Sequence, residues 1–367
     1  MRVMQVMAGA QHGGAEAFFV RLTVALAQAG VATRAVIRPF AHRREALAAG
    51  GVPVMELPFG SWLDFKTRPA LAAEIDAFQP DIVLSWMNRG THFVPRSMRV
   101  NGRRGPFIHV GRLGGYYSMK YYRNCDHLIG NTRDIVDYII RSGWPAGRAH
   151  YLPNFAEETS APPVPRASLQ TPDDVPLFLA LGRLHENKGF DVLLDALVMM
   201  PTAYLWLAGE GPLRGALTAQ AKRLGLMGRI RFLGWRQDVA ALLAATDALV
   251  CPSRHEPLGN VVIEAWSHTV PVVAADAQGP VQLIDHGVSG LLVPREDAGA
   301  LAAALTRVAA DHTLAASLAH AGRDAYLRQF SKQAVIEQYL AFFDRVMSTR
   351  IPTGGDSHTV TGSVAQG

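Results

Sequence analysis

The sequence predicts an α/β protein built from two doubly wound, Rossmann-like domains. Short apolar segments alternate with helical stretches along the chain, and this series occurs twice. The apolar segments are continuous runs of Val, Ile and Leu, which are typical of strands buried on both faces of a parallel sheet. A chain of 367 residues also exceeds one ordinary domain and suits two domains of roughly 150–200 residues each.

The first series predicts an amino-terminal domain over residues 1–160. It opens on a strand, and its helices are expected from about Gly14 to Ala29 and around Ala70 to Phe78, where the apolar residues recur at helical spacing. The predicted strands of this series are "RVMQVMAG", "TRAVIRP", "VPVMELP", "DIVLSW", "PFIHVG" and "HLIGNT".

The second series predicts a carboxyl-terminal domain over residues 176–330. Its predicted strands are "PLFLALGRL", "AYLWLAG", "IRFLGW", "ALVCPS", "PVVAAD" and "GLLVP". Residues 161–175, rich in proline and small polar residues, are a predicted linker. Residues 331–348 predict one more amphipathic helix, and residues 351–367, which lack apolar content, predict a mobile tail.

Composition narrows the class of protein. Hydrophobic residues make up 49% of the chain, which is enough for two large cores. Cys125 and Cys251 each lie inside an apolar run, so we expect buried thiols in a reducing compartment and neither a disulfide nor a zinc site. No uncharged apolar run reaches about 18 residues, and the amino terminus turns to glycine too early for a signal peptide. We therefore expect a cytoplasmic protein without a membrane span.

Charge is distributed unevenly along the chain. Residues 1–170 hold 20 Lys and Arg against 12 Asp and Glu, whereas the remainder holds 16 against 19. The basic first half predicts contact with an anionic partner, and a solvated arginine-rich surface is the alternative. No nucleic-acid recognition motif accompanies the charge, so nucleic acid is not an expected partner. The arginines that concentrate the charge are Arg96, Arg99, Arg103, Arg104 and Arg112.

Two glutamates, Glu256 and Glu264, stand eight residues apart in "SRHEPLGNVVIEAW". In continuous helix this spacing would separate them by ~12 Å, which is too far to share one proton or to clamp one metal. They could instead hold the two ends of an extended ligand whose anionic middle lies at the helix start, Gly259-Asn260, where free N–H groups and the helix dipole favour phosphate. In the alternative, Glu256 caps the turn and Glu264 is a solvated helix residue.

Two cations lie in the loop that follows the first strand of the second series. Arg183 and Lys188, in "GRLHENKGFD", can supply the fixed positive charge that a diphosphate leaving group needs without a metal. A purely structural lysine at a helix start is less expected because its charge opposes the helix dipole. Lys188 is followed by glycine and not by Ser or Thr, so the segment is not a P-loop.

Glycine-rich turns follow two predicted strands. Gly9, Gly13 and Gly14 would let backbone N–H groups approach an anion closely. The segment "LAGEGPLRG" is interpreted as another strand-end loop, with Glu210 as a candidate ligand contact. Neither turn contains G-x-G-x-x-G, which argues against a dinucleotide oxidoreductase.

In this order, the motifs of the chain resemble those of retaining glycosyltransferases of the GT-B fold, family four. The resemblance covers nearly the whole chain, and it implies two Rossmann-like domains that face each other across a cleft. The segments that carry it are "GGAE", "LPN", "GRLHENKGFD", "AGEGPLR", "FLGW", "CPSRHEPLGNVVIEAW", "PVVAAD" and "GVSGLLVP".

The resemblance implies roles for most of these residues. Glu264 would hold the ribose hydroxyls of a nucleotide-sugar, Glu256 would lie near the transferred sugar, and Arg183 with Lys188 would steady the diphosphate. The backbone at Gly259, Asn260 and Val261 would contact the phosphates and the sugar. The first-domain loop at Gly13 and Gly14 would approach the diphosphate.

A histidine near the reacting sugar is also common in this family. His109, after "GPFI", is the candidate here, and a hydrogen-bonded histidine at a strand end is the alternative interpretation.

The resemblance implies a retaining, metal-independent glycosyltransferase without a cofactor, and the chain contains no Asp-x-Asp. It would move a sugar from a nucleotide-diphosphate sugar, with UDP favoured, to a hydroxyl of a glycan or glycolipid in lipopolysaccharide or cell-envelope polysaccharide synthesis. The helix at 331–348 would return to the first domain. A nucleotide-sugar epimerase of the same fold and a non-catalytic sugar-nucleotide sensor are the alternatives.

The first domain also carries a cluster of tyrosines, which with its basic residues would suit an anionic lipid headgroup. We therefore expect peripheral contact with the inner face of the cytoplasmic membrane. In the alternative, the tyrosines pack between strand and helix. The cluster comprises Tyr116, Tyr117, Tyr121 and Tyr122.

Overall fold

The computed structural model describes residues 1–11, 13–60, 64–95 and 107–349. Its first sheet has seven strands: β1 (Arg2–Met7), β2 (Ala32–Ile37), β3 (Val54–Glu56), β4 (Ile82–Trp86), β5 (Ile108–Leu113), β6 (His127–Gly130) and β7 (Ala149–Tyr151). The helices between and beside them are α1 (Gly14–Gln28), α2 (Ala41–Ala49), α3 (Thr67–Phe78), α4 (Met87–Phe93) and α5 (Arg133–Arg141).

The second sheet has six strands: β8 (Leu177–Leu181), β9 (Tyr204–Ala208), β10 (Ile230–Gly234), β11 (Ala248–Cys251), β12 (Val272–Ala275) and β13 (Leu291–Val293). The helices of this part of the chain are α6 (Phe190–Val198), α7 (Arg214–Arg223), α8 (Val239–Ala245), α9 (Asn260–Ser267), α10 (Pro280–Leu283), α11 (Ala298–Ala310), α12 (His312–Gln329) and α13 (Lys332–Ser348).

Both sheets are doubly wound. The strand order is β3-β2-β1-β4-β5-β6-β7 in the first and β10-β9-β8-β11-β12-β13 in the second. In each, the chain moves outward from its first strand and then returns to build the other half. β1 pairs in parallel with β2 and β4, and β8 pairs in parallel with β9 and β11. The predicted fold class of two parallel-sheet α/β domains is therefore confirmed.

The second sheet shows why its strands have continuous apolar runs. Successive side chains of a strand point to opposite faces, and in β8 both faces are covered. Phe178 and Ala180 belong to one core, and Leu177, Leu179 and Leu181 to the other. All five residues of β8 are buried, as are all of those of β11 and β12. Alternating polar residues would place uncompensated polar groups in one of these cores.

The chain groups into two compact units. The first comprises Met1–Arg112, Ser118–Leu128 and the chain from Gln338, and the second comprises Leu113–Tyr117 and Ile129–Glu337. The sequence-based boundaries, with a linker at 161–175, stay a prediction. The expected last helix is present as α13, and in the first unit its Tyr339 hydroxyl accepts a hydrogen bond from Arg112 Nε at 2.9 Å.

One arginine of the predicted basic surface is buried. Arg112 is 2% exposed, with its guanidinium 4.4 Å from the centre of a Trp86 ring and 4.8 Å from that of Phe18. Its assignment to a solvated or ligand-binding surface is wrong, because the cation is enclosed by aromatic faces. Arg96, Arg99, Arg103 and Arg104, and the predicted tail at 351–367, lie outside the described residues.

The tyrosine cluster is divided between core and surface. Tyr122 is fully buried, as expected if it packs inside the domain, whereas Tyr116 is 46% exposed and donates a hydrogen bond to Asp134. Both cysteines are buried and free, as predicted, and burial raises the pKa of each thiol. No helix in the described ranges is long and apolar enough to cross a membrane.

Candidate active site

An ion pair links two strand-end loops of the second unit. Lys188 ends a short 3-10 helix after β8, and Glu256 follows β11, the neighbouring strand. Lys188 Nζ donates to Glu256 Oε2, and the two side chains are 23% and 9% exposed. The family resemblance implied separate roles for them, at the diphosphate and at the sugar. The structure brings them together at the carboxyl ends of their strands, where open α/β sheets bind ligands.

Glycine allows these two loops to approach. Gly189 has φ 61°, and a Cβ there would lie 2.1 Å from the carbonyl oxygen of Pro252. Any other residue would combine a left-handed backbone with a clash against backbone atoms. The glycine that follows Lys188, which excluded a P-loop, therefore has a packing reason: it seats the lysine loop against the end of β11.

Arg254 reinforces the same contact from the surface side. Its Nη1 and Nη2 donate to the two carboxylate oxygens of Asp191 at 2.7 and 2.6 Å, and its Nε donates to Glu296 at 2.8 Å. The Arg254 guanidinium holds the pKa of the Asp191 carboxyl below its usual range. Sequence reasoning missed this residue, although it stands two positions before Glu256, because its partners are 63 and 42 residues away.

The start of α9 is shaped by the turn that joins it to β11. Gly259 is the N-cap, with φ 68° and no side chain to bond the first turn. Its own N–H donates to Glu256 Oε1 at 3.3 Å. Glu256 therefore does cap the turn, as the alternative interpretation held, and also pairs with Lys188. The first-turn N–H groups beyond Gly259, at Asn260 and Val261, are those that a helix leaves without intrahelical partners.

Glu264 lies on α9, one turn beyond the helix start, and is partly buried. A rise of 1.5 Å per residue places it about 6 Å along the axis from Asn260, and a separation of four residues puts the two side chains on the same face. Because residues 256–259 form a turn and not a helix, the length estimated for continuous helix does not apply to the two glutamates.

Arg183 and Glu210 extend the site along the edge of the second sheet. Arg183, just beyond β8, is exposed and has no ion-pair partner among the residues that the structure describes. Glu210 follows β9, is exposed, and accepts a hydrogen bond from Arg214 Nη1 at 3.4 Å. Arg183 is thus available to an anionic ligand, whereas Glu210 would have to exchange a protein contact for a ligand contact.

A pocket adjoins the start of α9, and all of its lining residues belong to the second compact unit. Leu258, Asn260 and Ile263 contribute from the loop and helix of the two glutamates. Asn154, from the quoted "LPN", and Arg133, whose guanidinium lies 4.8 Å from the centre of the Tyr151 ring, contribute polar groups. The pocket therefore joins the helix start to hydrogen-bonding side chains of the kind that orient a polar ligand.

The glycine-rich turn of the first unit has a closed side and an open side. A Cβ on Gly13 would lie 2.2 Å from a carboxylate oxygen of Glu16, whereas a Cβ on Gly14 would meet none of the described residues within 4 Å. A side chain at position 13 would therefore displace the carboxylate of Glu16 from its place beside the turn. The open side at Gly14, at the first residue of α1, is the part of the turn that a ligand could approach.

His109 is the second residue of β5, next to Val83 in β4, and is 1% exposed. Its Nε2 lies 2.8 Å from Ser85 Oγ, and its Nδ1 lies 3.3 Å from the carbonyl oxygen of Asn124. Burial lowers its pKa to about 4, so the ring is neutral at pH 7. The position is at the amino end of its strand and inside the core, which favours the hydrogen-bonded histidine over a histidine beside the reacting sugar.

Within the described ranges, no group of three or more His, Cys, Asp or Glu side chains could hold a metal ion. Independence of metal stays a prediction, because the diphosphate of a substrate can itself contribute ligands to an ion.

Known proteins are similar to this chain in sequence and in fold. A family model described as Glycosyltransferase Family 4 matches residues 12–160, and one described as Glycosyl transferases group 1 matches residues 175–311. The lipopolysaccharide core biosynthesis glycosyltransferases LpsE and LpsD of Rhizobium meliloti are both 36% identical to the chain. These matches cover 90% and 95% of the chain, and 95% and 100% of the relatives.

Solved structures agree on the architecture. The structure of HepE from Anabaena in complex with UDP has a TM-score of 0.79 and 22% sequence identity, over 94% of this chain and 100% of that one. The structural similarity supports the fold, and the 36% identity of the two relatives supports membership of the family. The chain therefore belongs to glycosyltransferase family four and is a glycosyltransferase with the GT-B fold.

Proposed function

We propose that this glycosyltransferase transfers a sugar from a UDP-sugar to a hydroxyl of a lipopolysaccharide core acceptor, with retention of anomeric configuration and without a metal. The observation that carries the proposal is the Lys188–Glu256 pair beside the start of α9. The names of the relatives, which refer to lipopolysaccharide core biosynthesis, support the acceptor. The UDP bound to HepE supports the nucleotide.

In this proposal the positive groups stabilise the leaving diphosphate. The bond between the anomeric carbon and the phosphate oxygen breaks, and negative charge accumulates on the diphosphate. Lys188, Arg183 and the first-turn N–H groups of α9 offer charge and hydrogen bonds to it, in place of a metal ion. Because these groups are already fixed by the fold, little reorganisation is needed as the charge develops.

The two glutamates have different tasks. Glu264 accepts hydrogen bonds from the ribose hydroxyls, which fixes the nucleoside. Glu256, bonded to Lys188 Nζ and to the Gly259 N–H, orients the lysine and the helix start at the sugar end of the donor. A carboxylate already engaged in two such bonds suits orientation better than proton transfer, because proton uptake would weaken both bonds.

The acceptor hydroxyl attacks the face that the diphosphate leaves. A new bond forms between its oxygen and the anomeric carbon, and its proton passes to an oxygen of the departing phosphate. The open side of the turn at Gly14 receives an anionic group of the substrate. Because the proposed acceptor is part of the cell envelope, the enzyme would contact the inner face of the cytoplasmic membrane peripherally. Pelleting of the protein with anionic vesicles at low salt would detect this contact.

A transfer assay tests the proposal. The full chain is incubated with UDP-glucose, UDP-galactose or GDP-mannose, with and without core-truncated lipopolysaccharide, in the presence and absence of EDTA. We expect release of UDP that depends on the acceptor and resists EDTA, and a retained anomeric configuration in the product NMR spectrum. Tight nucleotide binding without turnover of any donor would favour a sensor, and a change of the sugar's configuration without an acceptor would favour an epimerase.

A further inference from the structure

Side chains from two helices hold both backbone polar groups of Ala10, in the glycine-rich turn of the first unit. Glu16, on α1, accepts the Ala10 N–H at 2.9 Å through Oε1. Arg43, on α2, donates to the Ala10 carbonyl oxygen through Nη2, which also lies 3.5 Å from the carbonyl oxygen of Gln11. Glu16 is 7% exposed and Arg43 is 1% exposed, so both charges have been withdrawn from water.

This arrangement is a costly way to stabilise a fold. Burying a charge costs free energy unless the charge is well paired, and both side chains here bond to backbone groups of the turn. Here burial lowers the pKa of Arg43, although the charge of Glu16 opposes the shift. Arg43 Nη1 is buried and has no hydrogen-bond partner among the described residues. A desolvated cation with a spare donor therefore points to a task other than stability.

Glu16 also occupies the space beside two glycines of the turn. A Cβ at Gly9 or at Gly13 would lie 2.6 or 2.2 Å from the carboxylate of Glu16, which closes that side. No atom of the described part of the chain lies within 4 Å of a Cβ at Gly14. The N-cap of α1, Gly13, makes no side-chain hydrogen bond to the first turn of this 15-residue helix. Among the described residues, Glu16 therefore fills the space beside Gly9 and Gly13, and none of them fills the space beside Gly14.

We propose that Arg43 and Glu16 are positioning residues that fix the glycine-rich turn, so that the start of α1 and the open side at Gly14 stay aligned for an anionic group of the substrate. This inference rests on the proposed glycosyl transfer. Neither residue acts on the reacting atoms: each acts through the backbone of Ala10. Losing either side chain would leave the turn present but movable, and small displacements of a substrate-binding group cost rate.

Hydrogen exchange of the full chain tests whether the turn is held in this way. In Arg43→Met and in Glu16→Ala we expect the segment containing Ala10 to exchange at least ten times faster than in the wild type. Arg43→Lys keeps a cation that can donate to Ala10 and should recover part of the protection. The matched control is Arg44→Met, on the same helix, because the Arg44 side chain is 48% exposed and pairs only with Glu45 and Glu56 among the described residues.

Steady-state kinetics test whether the turn matters for the reaction. With the UDP-sugar and acceptor used in the transfer assay, Arg43→Met should lower kcat by about 10-fold to 100-fold, while the affinity for UDP stays within twofold. Arg43→Lys should recover part of kcat, and Arg44→Met should match the wild type. A purely structural role would lower Tm and the folded fraction without changing kcat per folded molecule.

Three results would overturn the inference: wild-type exchange of the turn in Arg43→Met, a kcat that falls only with the folded fraction, or equal losses in Arg43→Met and Arg44→Met. The two proposals fail separately. If the wild type transfers no sugar from any donor, the proposed function is wrong, and exchange measured with and without UDP-glucose still shows whether Arg43 and Glu16 fix the turn.

Discussion

The turn after β1 and the loop after β8 both follow the first strand of a parallel sheet, yet they use charge in opposite ways. After β1, Glu16 and Arg43 are buried and bonded to backbone, so their charges fix the shape of the turn. After β8, Lys188 pairs with Glu256 at a partly open position, and Arg183 is exposed beside it. The first arrangement shapes a surface for a ligand, and the second offers charge to one.

Replacing Lys188 should produce the largest effect on activity. Lys188→Ala removes a fixed positive charge from the leaving diphosphate, and loss of one such group typically lowers kcat by about 10²-fold to 10³-fold. Initial rates of UDP release at saturating donor measure the change. The control is Lys222→Ala, an exposed lysine on α7. Equal activity of Lys188→Ala and Lys222→Ala would show that the charge after β8 does not act on the reaction.

The buried histidine of the first unit should make stability depend on pH. His109 has a native pKa of about 4 against 6.5 when unfolded. The unfolded chain therefore binds more protons between these values, and stability is complete above pH 6.5 and is lost as pH falls toward 4. The full loss is about 3 kcal/mol.

Urea unfolding between pH 7 and pH 4 measures the dependence, with His109→Gln as the comparison. Carboxyl groups contribute to both proteins, so the difference between the two curves isolates the histidine. Parallel curves would mean that His109 is not buried as a neutral ring, and the position would again be open to a role beside the substrate.

Two glycine substitutions distinguish a glycine needed for packing, Gly189, from one proposed to leave room for the substrate, Gly14. Gly189→Ala should destabilise the second unit by about 1–2 kcal/mol for the left-handed backbone alone, and further through the contact with Pro252. Gly14→Ala should leave Tm unchanged, because its Cβ at the start of a helix meets none of the residues that the structure describes, but should lower kcat/KM if that space receives substrate. Thermal unfolding and transfer rates measure both. A Gly14→Ala enzyme with wild-type kcat/KM would mean that the open side of the turn has no contact with substrate.

The sequence predicted the fold well because its signals are local. Continuous apolar runs such as "LFLAL", now β8, reflect burial on both faces of a parallel sheet. The helix expected from about Gly14 to Ala29 is α1, Gly14–Gln28, and the helix expected around Ala70 starts one turn earlier, at Thr67. Helix boundaries are predicted less well than helices, because capping residues and turns determine the first residue and the spacing of apolar residues does not show it.

The site was predictable only where its residues stand close in the sequence or match a motif. Glu256 was chosen together with Glu264, and Lys188 together with Arg183, and nothing in the sequence indicated that Lys188 and Glu256 would pair across 68 residues. Arg43 and Arg254 were missed for the same reason, because their partners lie on other elements. His109 was chosen because the resemblance implies a histidine near the reacting sugar, and the register that places it at the amino end of β5 is not visible in the sequence.

Calorimetric titration with UDP tests the central claim, that the second unit binds a nucleoside diphosphate through α9. One charge-assisted hydrogen bond to a ribose hydroxyl is worth about 1.5–3 kcal/mol. Glu264→Ala should therefore weaken UDP binding at least about tenfold, whereas Asp324→Ala, an exposed carboxylate on α12, should bind as the wild type does. Equal affinity of Glu264→Ala and the wild type for UDP would contradict the account.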